Sequence, residues 1–498
     1  MNILTLSLLF SAPSIVCSLR GAGHLVIADD GSTSVSPSII PCPGPFPSKN
    51  VPEIANCNLE QQMILQSAGG YFCCTLIPNP NVQNNKQQNN KQQWTTVTRL
   101  LGQQKEDRLG YGLENGAGVV LSGNGKRILV ASRSRDSPWV KTSGSVEMYE
   151  DNSSPFAPLS NSWTLVGKPI YGENAAEHFG WSTATNEDGT IVAVGSIRYH
   201  GNAGSYQGVV RMFKLEEGVW PAQWNKMGND IYGEELLDYF GFSVSLCSKG
   251  NIVAIGGIQH FGIEDKPYPG YVNVYGWDGQ NLWIQLGNKI IGEDDGDRFG
   301  SSVSLSALGN ILAVGAPDAE TGYVMIFGFD GHMWRSLGQT IYSDSVNDKT
   351  GYSVALSKNG RTLAIGAPHG GTLMAGIVRV FYLDTDRMWQ PTGEIHGEGE
   401  EFESGSSIAI SADGTRIVIG AIQASGKTDA HEGQIRVLEF QETEWVPLGA
   451  SVYGEHGSDN FGFAVAIDSA GRRVAASSPF ASTSQYAHAG IVKVLEMQ

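Results

Sequence analysis

The sequence predicts an all-β fold, a seven-bladed β-propeller with four-stranded antiparallel blades, and three repeated features support that prediction. A pair of glycines nine residues apart recurs seven times, a small residue follows six positions after the second glycine, and a tryptophan marks the outer strand. Repeats of this length with four short strands each are typical of propellers, in which neighbouring blades cover each other's faces. The glycine pairs are Gly116/Gly125, Gly180/Gly189, Gly241/Gly250, Gly300/Gly309, Gly351/Gly360, Gly405/Gly414 and Gly462/Gly471.

Residues 283–334 show the four strands of one repeat most clearly. Residues 302–305 alternate polar and apolar side chains, which is the period of a strand with one buried face. Leu308, Gly309 and Asn310 then predict a tight turn, because glycine tolerates the positive φ that a short hairpin requires. The other predicted strands of this repeat are residues 311–314, 323–327 and 334–341.

The two ends of the repeat array predict how the ring closes. Trp94 begins a strand before the first glycine pair, whereas the last repeat reaches Gln498 without a tryptophan strand of its own. We therefore expect residues 94–101 to complete the last blade as its outer strand. That arrangement pairs a strand edge that would otherwise be open to aggregation.

Charge excludes some classes of partner. The chain has 498 residues, 33 basic and 50 acidic side chains, and a formal net charge of −17. Nucleic acids and anionic membrane surfaces bind basic proteins, so neither is an expected partner.

Residues 1–18 predict a secretory signal peptide. Residues 3–16 form an uncharged apolar run that is too short to cross a bilayer as a helix, and we place the cleavage after Ser18. A lipoprotein signal at Cys17 is the alternative, which Val16 disfavours because the residue before such a cysteine should be small. The sequence has no second apolar segment of this kind, so we expect a secreted, extracellular protein without a membrane span.

Four cysteines in the segment 19–80 predict disulfides, since a secreted chain meets an oxidising compartment. They allow three pairings, of which a bond between the adjacent Cys73 and Cys74 is disfavoured by strain. Their uneven spacing makes a zinc site the weaker alternative. Cys247, within the repeats, predicts an inert free thiol. The disulfide candidates are Cys42, Cys57, Cys73 and Cys74.

The segments that precede the repeats predict an accessory module on a tether. A short helix is expected near residues 59–66, and the Asn/Gln-rich residues 81–93 predict a disordered linker. The propeller then covers residues 94–498. Asn152 begins an Asn-Ser-Ser sequence and is the predicted N-glycosylation site.

An acidic motif recurs between the repeats, with the form Gly-Glu-x-x-x-Asp/Glu-x-Phe-Gly. Its carboxylates could accept backbone N–H bonds and hold the connection between blades, and recurrence in nearly every blade favours this architectural role. The functional alternative is a calcium site, because carboxylate oxygens suit that ion. The densest group, and therefore the candidate metal site, is Glu293, Asp294, Asp295 and Asp297. The recurring tryptophans are likewise interpreted as packing between blades rather than as a ligand cage.

Short motifs at fixed places in the repeat carry a resemblance to a known family. They are Phe179-Gly180, Phe240-Gly241, Phe299-Gly300, Phe461-Gly462, Gly315-Ala316-Pro317 and Gly366-Ala367-Pro368. With these motifs the units resemble FG-GAP repeats, which build the seven-bladed propeller of integrin α chains, over about four-fifths of the chain. The phenylalanine is replaced at Asn115, Thr350 and Ser404, and the calcium loops of that family are absent from the sequence. The resemblance therefore implies the fold and an adhesion-type role, but no calcium site at any residue of this chain.

Function is expected where the repeats differ, which is in the connections between second and third strands. These vary in length and carry aromatic and histidine side chains, and variable loops on a rigid scaffold are typical binding surfaces. An alternative is that these rings only cover the top of the propeller. The ligand-face candidates are Trp139, Tyr199, His200, Tyr206, His260, Phe261, Tyr268, His369, His431, Tyr486 and His488.

The sequence contains no established catalytic motif. His369 precedes two glycines, as in some oxyanion holes, but no Gly-x-Ser-x-Gly nucleophile elbow accompanies it. We therefore expect a secreted, non-catalytic binding or adhesion protein without a cofactor that recognises an extracellular protein or glycan through its loop face. A carbohydrate-active enzyme on a propeller scaffold and a structural component of a cell wall or matrix are the alternatives.

Overall fold

The computed structural model divides into two compact units, Met1–Lys91 and Gln92–Gln498. In the first unit it describes the backbone of five strands. In the second unit it describes residues 93–498 apart from 113–117, 154–161, 220, 260–267 and 427–430.

The strands of the first unit form one antiparallel sheet in the order β3-β2-β1-β5-β4. They are β1 (Ile15–Ser18), β2 (His24–Ile27), β3 (Thr33–Ser36), β4 (Gln62–Ser67) and β5 (Gly70–Leu76). The helix expected near residues 59–66 is wrong, because this segment pairs with β5, for example Leu65 opposite Phe72. Pairing with a neighbouring strand, rather than local propensity, decides its conformation.

Several predictions concern this first unit. β1 contains the last four residues of the predicted signal peptide, and its Cys17 is opposite Cys74 in the sheet register. Cleavage after Ser18 and the disulfides of the segment stay predictions. Cys42, Cys57 and the linker up to residue 92 lie outside the described residues.

The second unit is the predicted seven-bladed propeller. It begins with β6 (Trp94–Leu101), and each blade is an antiparallel sheet whose first strand is at one edge. The first three blades are β7 (Val119–Leu121), β8 (Arg127–Ser132), β9 (Ser145–Asp151), β10 (Trp163–Leu165) and β11 (Ile170–Tyr171); β12 (Phe179–Thr185), β13 (Ile191–Ser196), β14 (Val209–Glu216), β15 (Gln223–Lys226) and β16 (Ile231–Tyr232); and β17 (Ser243–Leu246), β18 (Ile252–Gly257), β19 (Tyr271–Trp277), β20 (Trp283–Gln285) and β21 (Ile290–Ile291).

The remaining blades repeat this order. They are β22 (Ser302–Leu305), β23 (Ile311–Ala316), β24 (Tyr323–Phe329), β25 (Trp334–Ser336) and β26 (Ile341–Tyr342); β27 (Ser353–Leu356), β28 (Thr362–Ala367), β29 (Ile377–Leu383) and β30 (Trp389–His396); β31 (Ser404–Ile410), β32 (Arg416–Ala421), β33 (Gln434–Gln441), β34 (Glu444–Pro447) and β35 (Val452–Tyr453); and β36 (Val465–Ile467), β37 (Arg473–Ser478) and β38 (Ile491–Met497). The one helical segment of the described chain is a 3-10 turn, Thr372–Met374. No helix in the described residues is both long and apolar enough to span a bilayer.

The predicted closure of the ring is confirmed. β38 pairs antiparallel with β6, from Ile491 opposite Leu101 to Met497 opposite Trp94, so the first strand of the second unit is the outer strand of the seventh blade. The first and last strands of the propeller are thereby held in the same sheet, and both edges that an open array would expose are paired.

The outer strand is interrupted in most blades, which differs from the single strand expected for residues 334–341. β25 and β26 both pair with β24, and the chain between them passes through Gly338 with φ +79°. The adjacent Leu337 is buried, and its carbonyl accepts a hydrogen bond from the indole of Trp389 in the next blade. The break therefore allows the outer strand to turn a side chain and a carbonyl towards its neighbour.

The first blade differs from the expected glycine spacing. The N–H of Gly110 (φ +83°) donates to the carbonyl of Ala131 at 2.7 Å, as Gly300 (φ +92°) donates to Gly315 at 3.1 Å. Gly110 therefore holds the place predicted for Gly116, which lies outside the described residues. The nine-residue spacing predicted Gly116 instead of Gly110 for two reasons. A leucine replaces the phenylalanine before Gly110, and extra residues separate Gly110 from β7.

A serine two positions after the recurring glycine joins five of the blades to the next blade. The Ser243 hydroxyl donates to the carbonyl of Gly300 at 2.7 Å. A Cβ on Gly256 would lie 2.6 Å from this Oγ and 2.1 Å from the Gly300 oxygen, so the small residue of the repeat makes room for the contact. The same 2.7 Å bond joins Ser182, Ser302, Ser353 and Ser407 to Gly241, Gly351, Gly405 and Gly462.

The junction of the seventh and first blades has these two residue types exchanged. Ala464 stands in the serine position and Ser477 in the position of the small residue, and the Ser477 hydroxyl accepts a hydrogen bond from the N–H of Ala464 at 3.1 Å. A Cβ on Gly110 would lie 2.4 Å from the Cβ of Ser477. A serine hydroxyl therefore lies at this junction too, but it belongs to the second strand of the blade, whereas in the five blades above it belongs to the first strand.

Five of the outer-strand tryptophans join their blade to the preceding blade through an indole hydrogen bond. The indole N–H of Trp283 donates to the carbonyl of Met227 at 2.8 Å, and Trp283 is 5% exposed. Its neighbours in the apolar cluster between the second and third blades include Met212, Phe240 and Tyr271. Equivalent indole bonds are made by Trp94, Trp224, Trp334 and Trp389. This geometry supports the interpretation that the tryptophans pack between blades.

Candidate functional site

The blade topology gives the propeller two different ends. Connections from second to third strands and from one blade to the next lie at one end, which we call the loop face. Turns from first to second and from third to fourth strands lie at the other end, which we call the turn face. The candidate side chains on those variable connections that the structure describes therefore belong to the loop face.

The acidic motif holds the blade-to-blade connections. The Asp238 carboxylate accepts the N–H groups of Glu234 and Glu235 at 2.7 and 2.8 Å and the hydroxyl of Tyr271 at 2.7 Å. Burial raises the pKa of this carboxyl. Equivalent backbone bonds are accepted by Asp107, Glu177, Asp297 and Asp459. The motif therefore has the geometry of the architectural role.

Asp107 was missed from the sequence, because Gln103 replaces the first glutamate of the motif there. Its Oδ2 accepts the N–H groups of Gln103 and Gln104 at 2.8 and 3.0 Å, as in the other blades. In the motif of the sixth blade, Phe402 stands at the position that a buried Asp or Glu holds in the other blades. The neighbouring glutamates do not repeat the backbone hydrogen bonds of that buried acid.

Three of the four candidate metal ligands accept separate hydrogen bonds through their carboxylates. The Asp297 carboxylate accepts the N–H of Asp294 and the hydroxyl of Tyr323, both at 2.9 Å. Glu293 accepts the hydroxyl of Tyr342 at 2.9 Å. The Asp295 carboxylate accepts the backbone N–H of Tyr268 at 2.8 Å. Across the described parts of the chain, no three His, Cys, Asp or Glu side chains are grouped so that they could hold a metal ion.

Three of the aromatic candidates pack on other rings of the second blade and its neighbour. Tyr206 stacks on Tyr239 with centroids 5.4 Å apart, and His200 contacts Tyr206 at 5.1 Å. Tyr199 contacts Tyr232 at 5.5 Å. These rings pack over their own connection. This agrees with the alternative interpretation that such rings only cover the top of the propeller.

The remaining candidates are spread around the loop face. Tyr268 and His369 are half-buried, and His431 and His488 are exposed. The imidazole Nδ1 of His488 lies 3.4 Å from the Glu106 carboxylate. His260 and Phe261 lie outside the described residues.

Trp139 lies on a groove at the rim between the first and second blades. Its side chain is 85% exposed, and the groove has a volume of about 720 Å³. Half-buried Tyr171 and Trp224 lie on the same groove. The rest of the lining is Ser137, Val140, Lys168, Pro169, Ile170, Gly172, Glu173, Pro221, Ala222 and Gln223. Three aromatic rings, two prolines and a few polar groups on one open groove make it a candidate ligand site.

Tyr486 lies on a second groove, between the seventh and first blades. This groove has a volume of about 640 Å³ and also contacts Arg99, Gln103 and Tyr149. The Tyr486 ring is 38% exposed. Both grooves flank the first blade, so the two exposed aromatic candidates mark neighbouring parts of the rim.

A row of rings and an arginine lies along one side of the mouth of the central channel on the loop face. The Arg133 guanidinium lies between the rings of Tyr111 and Trp181, 3.7 and 4.1 Å from their centroids. Trp181 contacts Phe242 at 5.6 Å, and Tyr111 contacts Phe463 at 5.3 Å. We call these five residues the mouth ladder. The sequence held a signal for it that was missed, because each ring follows the recurring glycine directly.

More cations flank the mouth ladder. Arg108 and Arg298 each lie 5.4 Å from one of its rings. Arg298 and Lys349 share the Asp318 carboxylate, at 3.0 and 2.8 Å. Arg198 is exposed, and its side chain forms no ion pair with any residue that the structure describes.

Seven backbone hydrogen bonds close a ring at the turn-face end of the channel. One residue of each blade donates its N–H to the carbonyl of the equivalent residue in the next blade, at 2.8 to 3.1 Å, and the last bond returns to the first blade. The seven residues are Gly123, Glu187, Ser248, Ala307, Lys358, Ala412 and Ser469. They line a cavity of about 170 Å³. Glu187 and Lys358, the two charged members, form an ion pair.

Two single-residue predictions can also be placed. Asn152 is exposed, and its amide donates to the hydroxyl of Thr164 at 2.6 Å. Cys247 is free and 2% exposed, and its thiol donates to the Asn251 side chain at 3.2 Å. The prediction that Cys247 is a free thiol is confirmed, whereas its inertness and glycosylation at Asn152 stay predictions.

Comparisons with known proteins assign no family. No protein-family model and no curated protein matches the chain. A crystal structure from Bacteroides uniformis, described provisionally as a 6-phosphogluconolactonase, aligns with a TM-score of 0.47 and 14% identity over 69% of this chain and 87% of that one. At that identity and TM-score the likeness carries no argument about function.

Proposed function

We propose that this propeller is a secreted, non-catalytic binding protein that recognises an extracellular glycan at the rim groove beside Trp139, a residue on a loop-face connection. The observation that carries the proposal is the 85% exposure of the Trp139 indole on a groove that also holds Tyr171 and Trp224. Leaving so large an apolar surface in water is unfavourable, and aromatic faces pack well on the apolar faces of sugar rings.

The polar part of the groove supports recognition of hydroxyl groups. Lys168, Glu173 and Gln223 supply charged and amide groups next to the rings. A few polar groups in a mainly apolar groove fix the orientation of a ligand.

The charge of the groove supports binding rather than glycoside hydrolysis. Hydrolysis of that type usually needs two carboxylates on opposite sides of the bond. Glu173 is the one carboxylate among the described lining residues, and it is paired with Arg211 at 3.2 Å.

Secretion and the FG-GAP likeness belong to the same proposal. The apolar, uncharged residues 3–16 support export, and the Phe-Gly and Gly-Ala-Pro motifs support an adhesion-type role. A protein ligand on the same face is the principal alternative.

The test is a glycan-array screen of the full chain, followed by titration of the best glycan into wild-type protein and the W139A variant. We expect selective binding that W139A weakens about tenfold or more, as for a central aromatic contact. Because Trp139 is exposed, W139A should leave the urea midpoint of unfolding unchanged.

The matched control is Y382A, which removes an exposed ring that is 40% accessible on the fifth blade. It should bind the glycan as the wild type does. A protein that binds no glycan, or a W139A variant with wild-type affinity, would overturn the proposal and favour a protein ligand.

A further inference from the structure

We propose that the loop face around the fifth blade is a docking surface for a basic, amphipathic segment of an extracellular protein. Its centre is formed by Leu373 and Met374, which we call the apolar tip, and the connections on either side of the tip are acidic. The inference does not rest on a glycan ligand, and the surface shares no residue with the groove beside Trp139.

The apolar tip exposes two adjacent large side chains to solvent. Leu373 is 58% exposed and Met374 is 44% exposed, and both lie on the connection between β28 and β29. They belong to the 3-10 turn Thr372–Met374, in which no residue is buried. Single exposed apolar side chains are common on protein surfaces, whereas adjacent ones favour an interaction site.

The backbone of the apolar tip is held by the connection that leads to the sixth blade. The N–H groups of Glu401 and Glu403 donate to the carbonyls of Leu373 and Met374 at 2.8 and 3.2 Å. Leu373 and Met374 have φ of +50° and +54°, a conformation that bulky residues rarely adopt. A turn that is fixed in this way needs little ordering when a partner covers it, which favours binding.

A third exposed apolar side chain lies on the adjoining connection. Val346 is 59% exposed and belongs to residues 343–352, which join the fourth blade to the fifth. This connection touches that of the apolar tip, because the N–H of His369 donates to the carbonyl of Asp348 at 3.2 Å. The exposed apolar residues therefore extend over two connections that are in contact.

The connections around the apolar tip are strongly acidic. Together they contain eight acidic side chains and one lysine, in residues 317–322, 343–352, 368–376 and 397–403. Lys349, the one lysine, is paired with Asp318 at 2.8 Å. Four of the acids are exposed and form no ion pair with any residue that the structure describes, namely Glu320, Asp344, Glu400 and Glu401. The next connection, residues 422–433, adds two acids and one lysine, so it does not neutralise the surface.

This combination of charge and exposed apolar surface favours a basic amphipathic protein segment. Its apolar side chains would cover the tip, and its Lys or Arg side chains would pair with the unpaired carboxylates. A second copy of this chain carries the same formal charge of −17 and would be repelled. An anionic lipid surface would be repelled by the same carboxylates.

The test measures the binding of a labelled amphipathic peptide of leucine and lysine to the full chain by fluorescence anisotropy. Two matched peptides replace either every lysine by glutamate or every leucine by serine, and we expect both to bind about tenfold more weakly. L373N/M374N should weaken the leucine–lysine peptide about tenfold, and asparagine tolerates the positive φ at both positions. E400Q/E401Q should also weaken it and should lessen its dependence on salt.

Each variant has a matched control. L282S/I284S removes two apolar side chains that are 51% and 53% exposed on the third blade, and E442Q/E444Q removes two exposed glutamates from the turn face of the sixth. Both controls, and W139A, should bind the peptide as the wild type does. Equal effects of the tip variants and their controls would overturn the inference. A dimer, or binding to neutral lipid vesicles, that L373N/M374N abolishes would also overturn it, in favour of a second copy or a bilayer.

Discussion

Glu187 and Lys358 form an ion pair across the turn-face end of the channel, although they belong to the second and fifth blades. The Lys358 ammonium also donates to the hydroxyl of Ser469, and that hydroxyl donates to the Glu187 carboxylate at 3.0 Å. The network therefore links three blades from inside the ring, next to the closed circle of backbone hydrogen bonds.

The ion pair should show a measurable coupling. Both side chains are partly exposed, 42% for Glu187 and 33% for Lys358, so solvent screens the pair. We expect a coupling energy of about 0.5–1 kcal/mol in a double-mutant cycle of E187Q and K358M, measured by urea unfolding. The more exposed pair of Arg335 and Asp330 is the control and should couple less. Additive effects of E187Q and K358M would contradict a stabilising brace.

The close contact between blades makes Gly256 intolerant of a side chain. G256A would place a Cβ 2.1 Å from the backbone oxygen of Gly300, which cannot move aside like a flexible side chain. We expect it to lower the free energy of unfolding by about 1–3 kcal/mol. The control is G328A, where the nearest atom to a new Cβ is 3.9 Å away, and a change within about 0.5 kcal/mol is expected. Equal unfolding midpoints for the two variants would count against the contact.

The indole N–H groups of two outer-strand tryptophans should contribute differently to the free energy of unfolding. Trp283 donates to the Met227 carbonyl at 2.8 Å, whereas the buried Nε1 of Trp445 has no partner among the described residues. W283F leaves a carbonyl without its donor, and W445F removes an unsatisfied donor. We expect W283F to cost about 1–3 kcal/mol more than W445F in chemical unfolding. A smaller cost for W283F than for W445F would show that ring volume, and not the hydrogen bond, dominates.

Acidification should destabilise the protein through His178. Burial, with Arg198 and Arg133 nearby, lowers the pKa of His178 to about 4, whereas the pKa of a histidine in the unfolded chain is about 6.5. Between these values the unfolded chain binds a proton that the folded chain does not, so the stability contribution falls as the pH drops from about 6.5 to 4. Outside this window it is constant.

The H178N variant tests this linkage, since asparagine tolerates the φ of +57° at this position. Its urea midpoint should fall less between pH 7 and pH 5 than the wild-type midpoint does. H332N, which changes an exposed histidine, is the control and should keep the wild-type pH dependence. Identical slopes for H178N and the wild type would refute the assignment.

The candidate site was only partly predictable. Trp139 and Tyr486 were chosen for their place on variable connections, and both lie exposed on rim grooves. Tyr199 and Tyr206 came from the same rule but pack on neighbouring rings, because exposure depends on what the next blade brings against them. Sequence pattern predicts which connections vary, but it does not rank the exposure of the side chains within them.

The seven-bladed ring and its closure through Trp94 are predictable from the sequence. Alternating apolar residues, glycine turns and outer-strand tryptophans act within a repeat or between adjacent repeats, so every repeat carries the same local information. The residues that meet in the channel and at its mouth are known only from the folded ring. Glu187 and Ser469 are 282 residues apart and meet because the ring closes. Such contacts depend on the diameter of the ring and the stagger of its blades, which no local pattern encodes.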